Sequence, residues 1–301
     1  MRETVAAVVV TFNRKVLLLQ CLDSLLKQSR SVDKILIVDN ASTDGTAELL
    51  REKGYLKNSV IDYIQLPENT GGAGGFHEGM KRAYEAGYDW LWLMDDDGYP
   101  AATALEEILK VSTELDIIGA AVVLPNDASK LSWKLRILEP SGYFKPRAYL
   151  TSYSELVEHS SNEIYEGLAN YFNAILFSRK TIEIVGFVQK ELFIWGDDYE
   201  YSLRCKAANL RIGTCIKALY FHPEKLSGAT KLKYYYFMRN LYYTYAKYGK
   251  LIYSPLIRPL YPFYIPFRWL HILPSINPCY LWQVIKASYF AGQGKLIPYQ
   301  L

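Results

Sequence analysis

Two clusters of carboxylates stand out in the chain: Asp95-Asp96-Asp97, and Asp197-Asp198 directly after Trp195-Gly196. Three adjacent carboxylates repel one another unless solvent or a cation relieves them. At a strand end alternate side chains share a side, so Asp95 and Asp97 face the same way. That arrangement can hold a hard divalent cation, because Mg2+ and Mn2+ take oxygen ligands and share them with phosphates. The same triplet would also serve as a solvated turn or as the cap of a helix beginning near Ala101. Asp197 and Asp198 beside an aromatic ring can provide a general base, since burial raises a carboxyl pKa and a nearby cation opposes that rise. Helix capping is the plainer use of the same pair. His222, just before Pro223, is either a structural histidine or a third ligand, because neutral imidazole coordinates Mn2+-type ions. Gly71-Gly72-Ala73-Gly74-Gly75 lets backbone approach a ligand closely, or is a flexible turn.

These residues need a scaffold, and the pattern supplies one. Val5 to Val10 is a continuous apolar run, as expected of a strand buried on both faces, and Thr11-Phe12-Asn13-Arg14 follows as a polar loop. Further strands are expected over Ile35–Val38, Ile61–Leu66 and Trp90–Met94, with helices over Val16–Gln28, from Thr46, and over Phe76–Ala86. The glycine run reads as the loop before the last of these. Strand and helix alternating at this spacing predict an α/β fold with a mostly parallel central sheet and flanking helices. Ligands in such sheets sit outside the carboxyl ends of the strands. Here those ends carry Thr11 and Asn13, Asp39 and Asn40, the glycine run, and the Asp triplet, so four of them point to one site. Beyond Ile117–Val123 the reading loosens: Pro125–Tyr153 shows no period, Tyr171–Ser178 reads as a strand, a helix follows Asp197, and Arg211–Phe221 ends at His222.

Composition narrows the class. Of 301 residues, 50% are hydrophobic and 22% charged, which is globular and not disordered. Four cysteines without a CxxC pair argue against a disulfide scaffold or thiolate zinc site and fit a reducing cytoplasm. Met1-Arg2-Glu3 leads straight into the first strand, with no signal peptide in view. The uncharged stretch Trp269–Ile285 is broken by Pro274 and Pro278 and makes a poor membrane span. A dinucleotide fingerprint would follow the first strand with glycines, and Thr11-Phe12-Asn13-Arg14 has none, which weighs against an NAD-dependent dehydrogenase.

Taken together, VVVTFNR, ILIVDNASTDGT, LPENTGGAGGF, WLWLMDDD and FIWGDDYEYSLR, spanning residues 8 to 204, resemble the family 2 glycosyltransferases of GT-A fold. The glycine run and the spacing to His222 look most like galactofuranosyltransferases and the related rhamnosyltransferases. The resemblance implies that Asp39 pairs with the pyrimidine base, that Thr11 and Asn13 line the nucleoside pocket, and that Arg14 meets the diphosphate. It places Asp96 and Gly74 among the nucleotide-sugar contacts. Asp95, Asp97 and His222 become the ligands of Mn2+ or Mg2+, Asp198 the catalytic base, and Trp195 and Asp197 the acceptor side. Gly196 and Asn40 depart from the residues most often found at their positions. The implied reaction is an inverting transfer of a sugar, first galactofuranose from UDP-galactofuranose, to a glycan or lipid-linked glycan of the cell surface. A rhamnosyltransferase using dTDP-rhamnose is the alternative within the class, and a nucleotide-sugar or glycan-binding protein without catalysis the alternative outside it.

The net charge of +3 hides a division. Residues 225–301 hold seven Lys and three Arg but no Asp or Glu, leaving residues 1–224 net acidic. The expected organisation is a catalytic domain, 1–224, and a basic, aromatic, helical C-terminal region, 225–301. That region reads either as a subdomain packed on the sheet or on a second subunit of a homo-oligomer, or as a peripheral contact with the inner face of the cell membrane. Tyr and Trp favour the interface, and Lys and Arg attract anionic lipid. Nucleic acid is not an expected partner, since no binding motif accompanies the charge.

Overall fold

The computed structural model describes residues 2–138, 144–224, 230–256, 258–260 and 278–299. The first half alternates as expected: β1 (Val5–Thr11), α1 (Lys15–Leu26), β2 (Lys34–Asp39), α2 (Thr46–Glu52), β3 (Ile61–Gln65), α3 (Gly71–Glu85) and β4 (Trp90–Asp95). Then come the short β5 (Tyr99–Pro100), α4 (Ala104–Lys110), β6 (Ile117–Leu124), β7 (Asp127–Leu138) and β8 (Phe144–Ser152). The chain continues through α5 (Tyr153–Glu158), β9 (Ile164–Glu166), β10 (Ile175–Ser178), α6 (Arg179–Val185), α7 (Asp197–Ala207) and β11 (Ile212–Phe221). Two helices close it, α8 (Lys231–Ile252) and α9 (Pro278–Gly292).

The sheet order is β3-β2-β1-β4-β10-β6-β11-β5, with the β7–β8 hairpin extending from β6 and β9 lying beside β11. β3, β2, β1 and β4 run parallel, as do β6 and β11, while β10 is inserted antiparallel between β4 and β6. Register brings the strand ends level: Thr11 pairs with Asp39, Asp39 with Gln65, and Val10 with Asp95. The apolar run of β1 is explained by its two buried faces. Val5, Ala7 and Val9 join a core under α1 and α4, and Ala6, Val8 and Val10 join a second core under α3, α6 and α7. Each large aliphatic side chain so buried contributes about 1.5–3 kcal/mol.

Two segments differ from expectation. The glycine run is not a loop but the first turns of α3, which begins at Gly71. Its glycines let the helix lie hard on its neighbours: a Cβ on Gly75 would stand 2.5 Å from Val10 Cγ1, and one on Gly79 2.3 Å from Val8 Cγ1. The unpatterned stretch after Pro125 is the β7–β8 hairpin. No helix among the described residues is long and apolar enough to cross a membrane, and 269–277 of the uncharged stretch noted above lies outside them.

Candidate active site

The site is assembled at the carboxyl ends of β1, β2 and β4, with contributions from the loop before α7 and from the end of β11. Beyond β1, Asn13 takes a left-handed backbone (φ 54°), and its side-chain oxygen accepts the Thr43 N–H at 2.7 Å. The Asn13 N–H donates to Ser42 Oγ at 2.9 Å. These bonds tie the β1 and β2 loops together. Asp39 is fully buried; its carboxylate accepts the Ser42 N–H at 2.8 Å and the Tyr63 hydroxyl at 2.5 Å. Ala41, Ser42, Thr43, Gln65, Leu66 and Pro67 line a recess of about 520 Å3 beside it.

The Asp triplet closes the end of β4. Asp95 is the last strand residue, its N–H bonded to Phe172 O (3.0 Å) and its carbonyl to the Tyr220 hydroxyl (3.1 Å). Asp96 is buried, accepting from Thr11 Oγ1 at 2.6 Å and from Arg14 Nη1 at 3.0 Å. Arg14 also donates to Asp97 at 2.6 Å, so one guanidinium bridges two carboxylates. Burial drives the Asp96 carboxyl up to about 6 against the opposing pull of Arg14. Asp95 rises well above the carboxylate range, first through burial and then through the charges of Asp97 and Asp96.

Asp97 and His222 meet across the site, Nε2 to Oδ1, at 3.1 Å. The other ring nitrogen, Nδ1, lies 2.7 Å from Pro223 O, which can only accept, so Nδ1 carries a hydrogen. With Nδ1 protonated, neutral imidazole turns its Nε2 lone pair toward a carboxylate, and a proton or a cation must lie between them. The Ser132 hydroxyl donates to His222 O at 2.7 Å, and the Trp133 ring lies 5.2 Å from the imidazole. A carbonyl-oriented imidazole beside a carboxylate is a donor pair suited to a divalent ion. Asp95 does not join it: among the described residues no group of three or more His, Cys, Asp or Glu is gathered for a metal.

The second carboxylate pair lies at the start of α7. Asp197 is buried and its carboxyl is pushed up to about 8, first by burial and then by Asp198. Its charge also helps raise Asp95, so the triplet and the pair share one electrostatic neighbourhood. Gly72 stands near it: a Cβ there would be 4.0 Å from Asp197 Oδ2. Asp198 is exposed, and its Oδ1 accepts the Tyr199 N–H at 2.7 Å. Trp195 packs edge-on against Phe237 of α8, ring centres 5.8 Å apart, with Lys233 Nζ 5.7 Å from its ring. Gly74 is packed tightly, since a Cβ there would meet Thr70 Oγ1 at 2.3 Å, so it shapes the entry to α3.

Sequence reading gave no role to several residues that build this site. Asn40 is buried, donates to Gly71 O at 3.1 Å and accepts the Thr70 hydroxyl at 2.9 Å, fixing where α3 starts. Asn173 follows the Phe172 carbonyl that binds Asp95, and its side-chain oxygen is buried without a hydrogen-bond partner among the described residues. Arg239 and Asn240 of α8 are fully buried against the segment preceding Asp197. A polar pair inside the aromatic run Tyr234–Tyr245 was the available signal.

An α/β sheet in the order 3-2-1-4, an acidic triplet at the end of β4 and a paired-Asp helix start across from it define a nucleotide-diphospho-sugar transferase domain of GT-A type. The chain belongs to glycosyl transferase family 2, whose profile matches residues 6–166, and it is a glycosyltransferase. It is 33% identical over 273 residues to galactofuranosyltransferase GlfT1 of Mycolicibacterium smegmatis, covering 86% of each chain. It is 31% identical over 298 residues to galactofuranosyltransferase GlfT1 of Mycobacterium tuberculosis, covering 95% of this chain and 94% of that one. Among solved structures, GalNAc-T7 with UDP, GalNAc and Mn2+ superposes with a TM-score of 0.60 at 16% identity. That match covers 89% of this chain and 55% of GalNAc-T7. Staphylococcus aureus TarS 1–349 with UDP-GlcNAc gives 0.59 at 15% identity, over 95% and 79% of the two chains. At such identities these structures speak for the fold alone.

Proposed function

We propose that the protein is an inverting galactofuranosyltransferase that takes UDP-galactofuranose and adds its sugar to a hydroxyl of a glycan or lipid-linked glycan. The observation that carries the reading is the likeness to two galactofuranosyltransferases, over 86% and 95% of this chain. In this reading the nucleoside lies against Thr11, Asn13 and Asp39, near the recess at the ends of β2 and β3. Asp95, Asp96 and Gly74 belong to the donor side, and Arg14 leaves its carboxylates to meet the diphosphate. Asp97 and His222 would hold a divalent cation, and the cation would offset charge on the leaving nucleotide. Asp198, exposed on the acceptor side, takes the proton of the attacking hydroxyl. Asp197, kept neutral by burial, donates a hydrogen bond there. Trp195 offers the acceptor an apolar face. Displacement by one hydroxyl in a single step inverts the anomeric centre.

The test is UDP or dTDP release from UDP-galactofuranose, UDP-hexopyranoses and dTDP-rhamnose, with Mn2+, Mg2+ or excess EDTA. UDP-galactofuranose is expected to be preferred, and EDTA to abolish release. Asp198→Asn should bind UDP normally and turn over at least 100-fold more slowly. A rhamnose preference would move the assignment to the related transferases, and undiminished turnover by Asp198→Asn would remove the base assignment.

We also infer a peripheral contact with an anionic membrane. Trp282, Ile285 and Tyr289 of α9 are 64%, 50% and 64% exposed, along one stripe at helical spacing. Lys286 is exposed among them, on a region without one acidic residue.

A further inference from the structure

We propose that Arg239 and Asn240 of α8 are positioning residues for the acceptor side of the active site, holding the segment 191–196 in the conformation that aims Trp195, Asp197 and Asp198. The proposal rests on the reading above, in which those three residues meet the acceptor.

The segment cannot hold that shape by itself. Phe193 (φ 65°, ψ −70°) and Trp195 (φ 58°) lie in left-handed backbone regions that bulky side chains avoid, and Gly196 follows at φ 91°. α7 starts at the next residue, so the direction of this backbone sets where Asp197 and Asp198 stand. A strained segment persists only where its surroundings over-determine it.

α8 supplies the surroundings. The Asn240 amide nitrogen donates to Leu192 O at 2.9 Å, Ile194 O at 3.2 Å and Trp195 O at 2.7 Å. Its amide oxygen accepts from Arg239 Nε at 3.0 Å and Nη2 at 2.8 Å, and since a guanidinium only donates, the amide cannot be turned round. Arg239 Nη2 donates to Glu191 O at 2.7 Å and Leu192 O at 3.1 Å, and Nη1 to Ile297 O at 2.9 Å. Tyr236 covers its face at 4.5 Å. Both side chains are buried, 1% and 0% exposed, and among the described residues every hydrogen bond that Arg239 donates goes to a carbonyl or amide oxygen. A buried guanidinium that donates to three main-chain carbonyls is a device for fixing backbone.

The other flank of the segment is closed by the donor side. The Ala73 N–H donates to Phe193 O at 3.1 Å, and a Cβ on Gly71 would fall 2.0 Å from that oxygen. The acceptor segment is thus clamped between the glycine-rich start of α3 and the Arg239–Asn240 pair. A Cβ on Gly196 would lie 3.1 Å from Asn240 Cβ, so glycine there admits the close approach of α8.

Asn240→Asp tests this on the full-length protein. It keeps the shape and the oxygen facing Arg239 but replaces the three-carbonyl donor with an acceptor. Assays use UDP-galactofuranose and an alkyl glycoside acceptor, with UDP binding followed by calorimetry. The expected result is a folded protein with UDP affinity and donor KM within about twofold of wild type and kcat lowered roughly 10- to 100-fold. Unchanged kcat, or a kcat loss matched by an equal loss of UDP affinity, would overturn the proposal. Should Asn240→Asp not fold, Arg239→Lys keeps the charge, gives up the fork, and is expected to show the same split. Failure of the underlying reading looks different: wild type would then show no transfer from UDP-galactofuranose, or Asp198→Asn would turn over normally.

Discussion

At the scale of single residues, the unusual group is the Asp197 carboxyl. Burial and the neighbouring Asp198 push it up to about 8, whereas a free aspartate titrates near ~3.9. Between about pH 4 and pH 8 the folded protein therefore binds more protons than the unfolded chain, and stability falls as pH rises through that window. Asp197→Asn removes this penalty. In cation-free protein the variant and wild type should melt together near pH 4, and the variant should gain with pH until about pH 8. The advantage expected there is about 2–5 kcal/mol, read by thermal or urea unfolding. Parallel profiles across the range would mean that Asp197 titrates normally in the native state. The carboxylates were readable from the sequence because clustered like charges have few uses. The difference between them was not: burial of Asp197 and exposure of Asp198 depend on α3 and the loop before α7, which no local pattern encodes.

At the scale of elements, α3 shows what a residue pattern can hide. Its glycines carry no side chain for a periodicity to register, so the run reads as a flexible loop. The reason they form a packed helix lies in Val8, Val10 and Asn40, some 30 to 70 residues earlier in the chain. The consequence can be measured. Gly79→Ala sets a Cβ 2.3 Å from Val8 Cγ1 and should cost about 1–3 kcal/mol in urea unfolding despite alanine's better helix propensity. Gly72→Ala meets only Asp197 Oδ2, at 4.0 Å, and should leave stability within about 0.5 kcal/mol. Equal effects at the two positions would mean that α3 does not sit hard on β1. The β7–β8 hairpin escaped for a related reason. Its buried Leu131 and Leu135 stand four apart, and register shifts interrupt the alternation that marks a strand. By contrast β1, β2 and β4 were legible because burial on both faces writes itself as an unbroken apolar run.

At the scale of the whole molecule, the charge division and the hydrogen bonds tell different stories about residue 224. Charge separates an acidic part from a basic one, yet bonds cross between them: Tyr248 donates to the buried Glu200 at 3.1 Å, and Arg239 and Asn240 hold the segment before α7. One face of the basic part is thus bonded to α7 and to the segment before it. On α9, Tyr280, Val284, Ala287 and Ala291 are buried, while Trp282, Ile285 and Tyr289 face outward. Aromatic side chains beside lysines are suited to the headgroup region, and each lysine near an anionic surface adds about 1 kcal/mol. Full-length protein is therefore expected to float with phosphatidylglycerol-containing vesicles at low salt and to be largely released at high salt. Substituting Trp282→Glu together with Tyr289→Glu should reduce co-flotation at least tenfold while leaving kcat on a soluble acceptor unchanged, because neither residue belongs to the site. A wild type that stays with the soluble fraction at low salt would leave the outward stripe of α9 without a membrane role. Undiminished flotation of the double variant would move the contact to another part of the basic region.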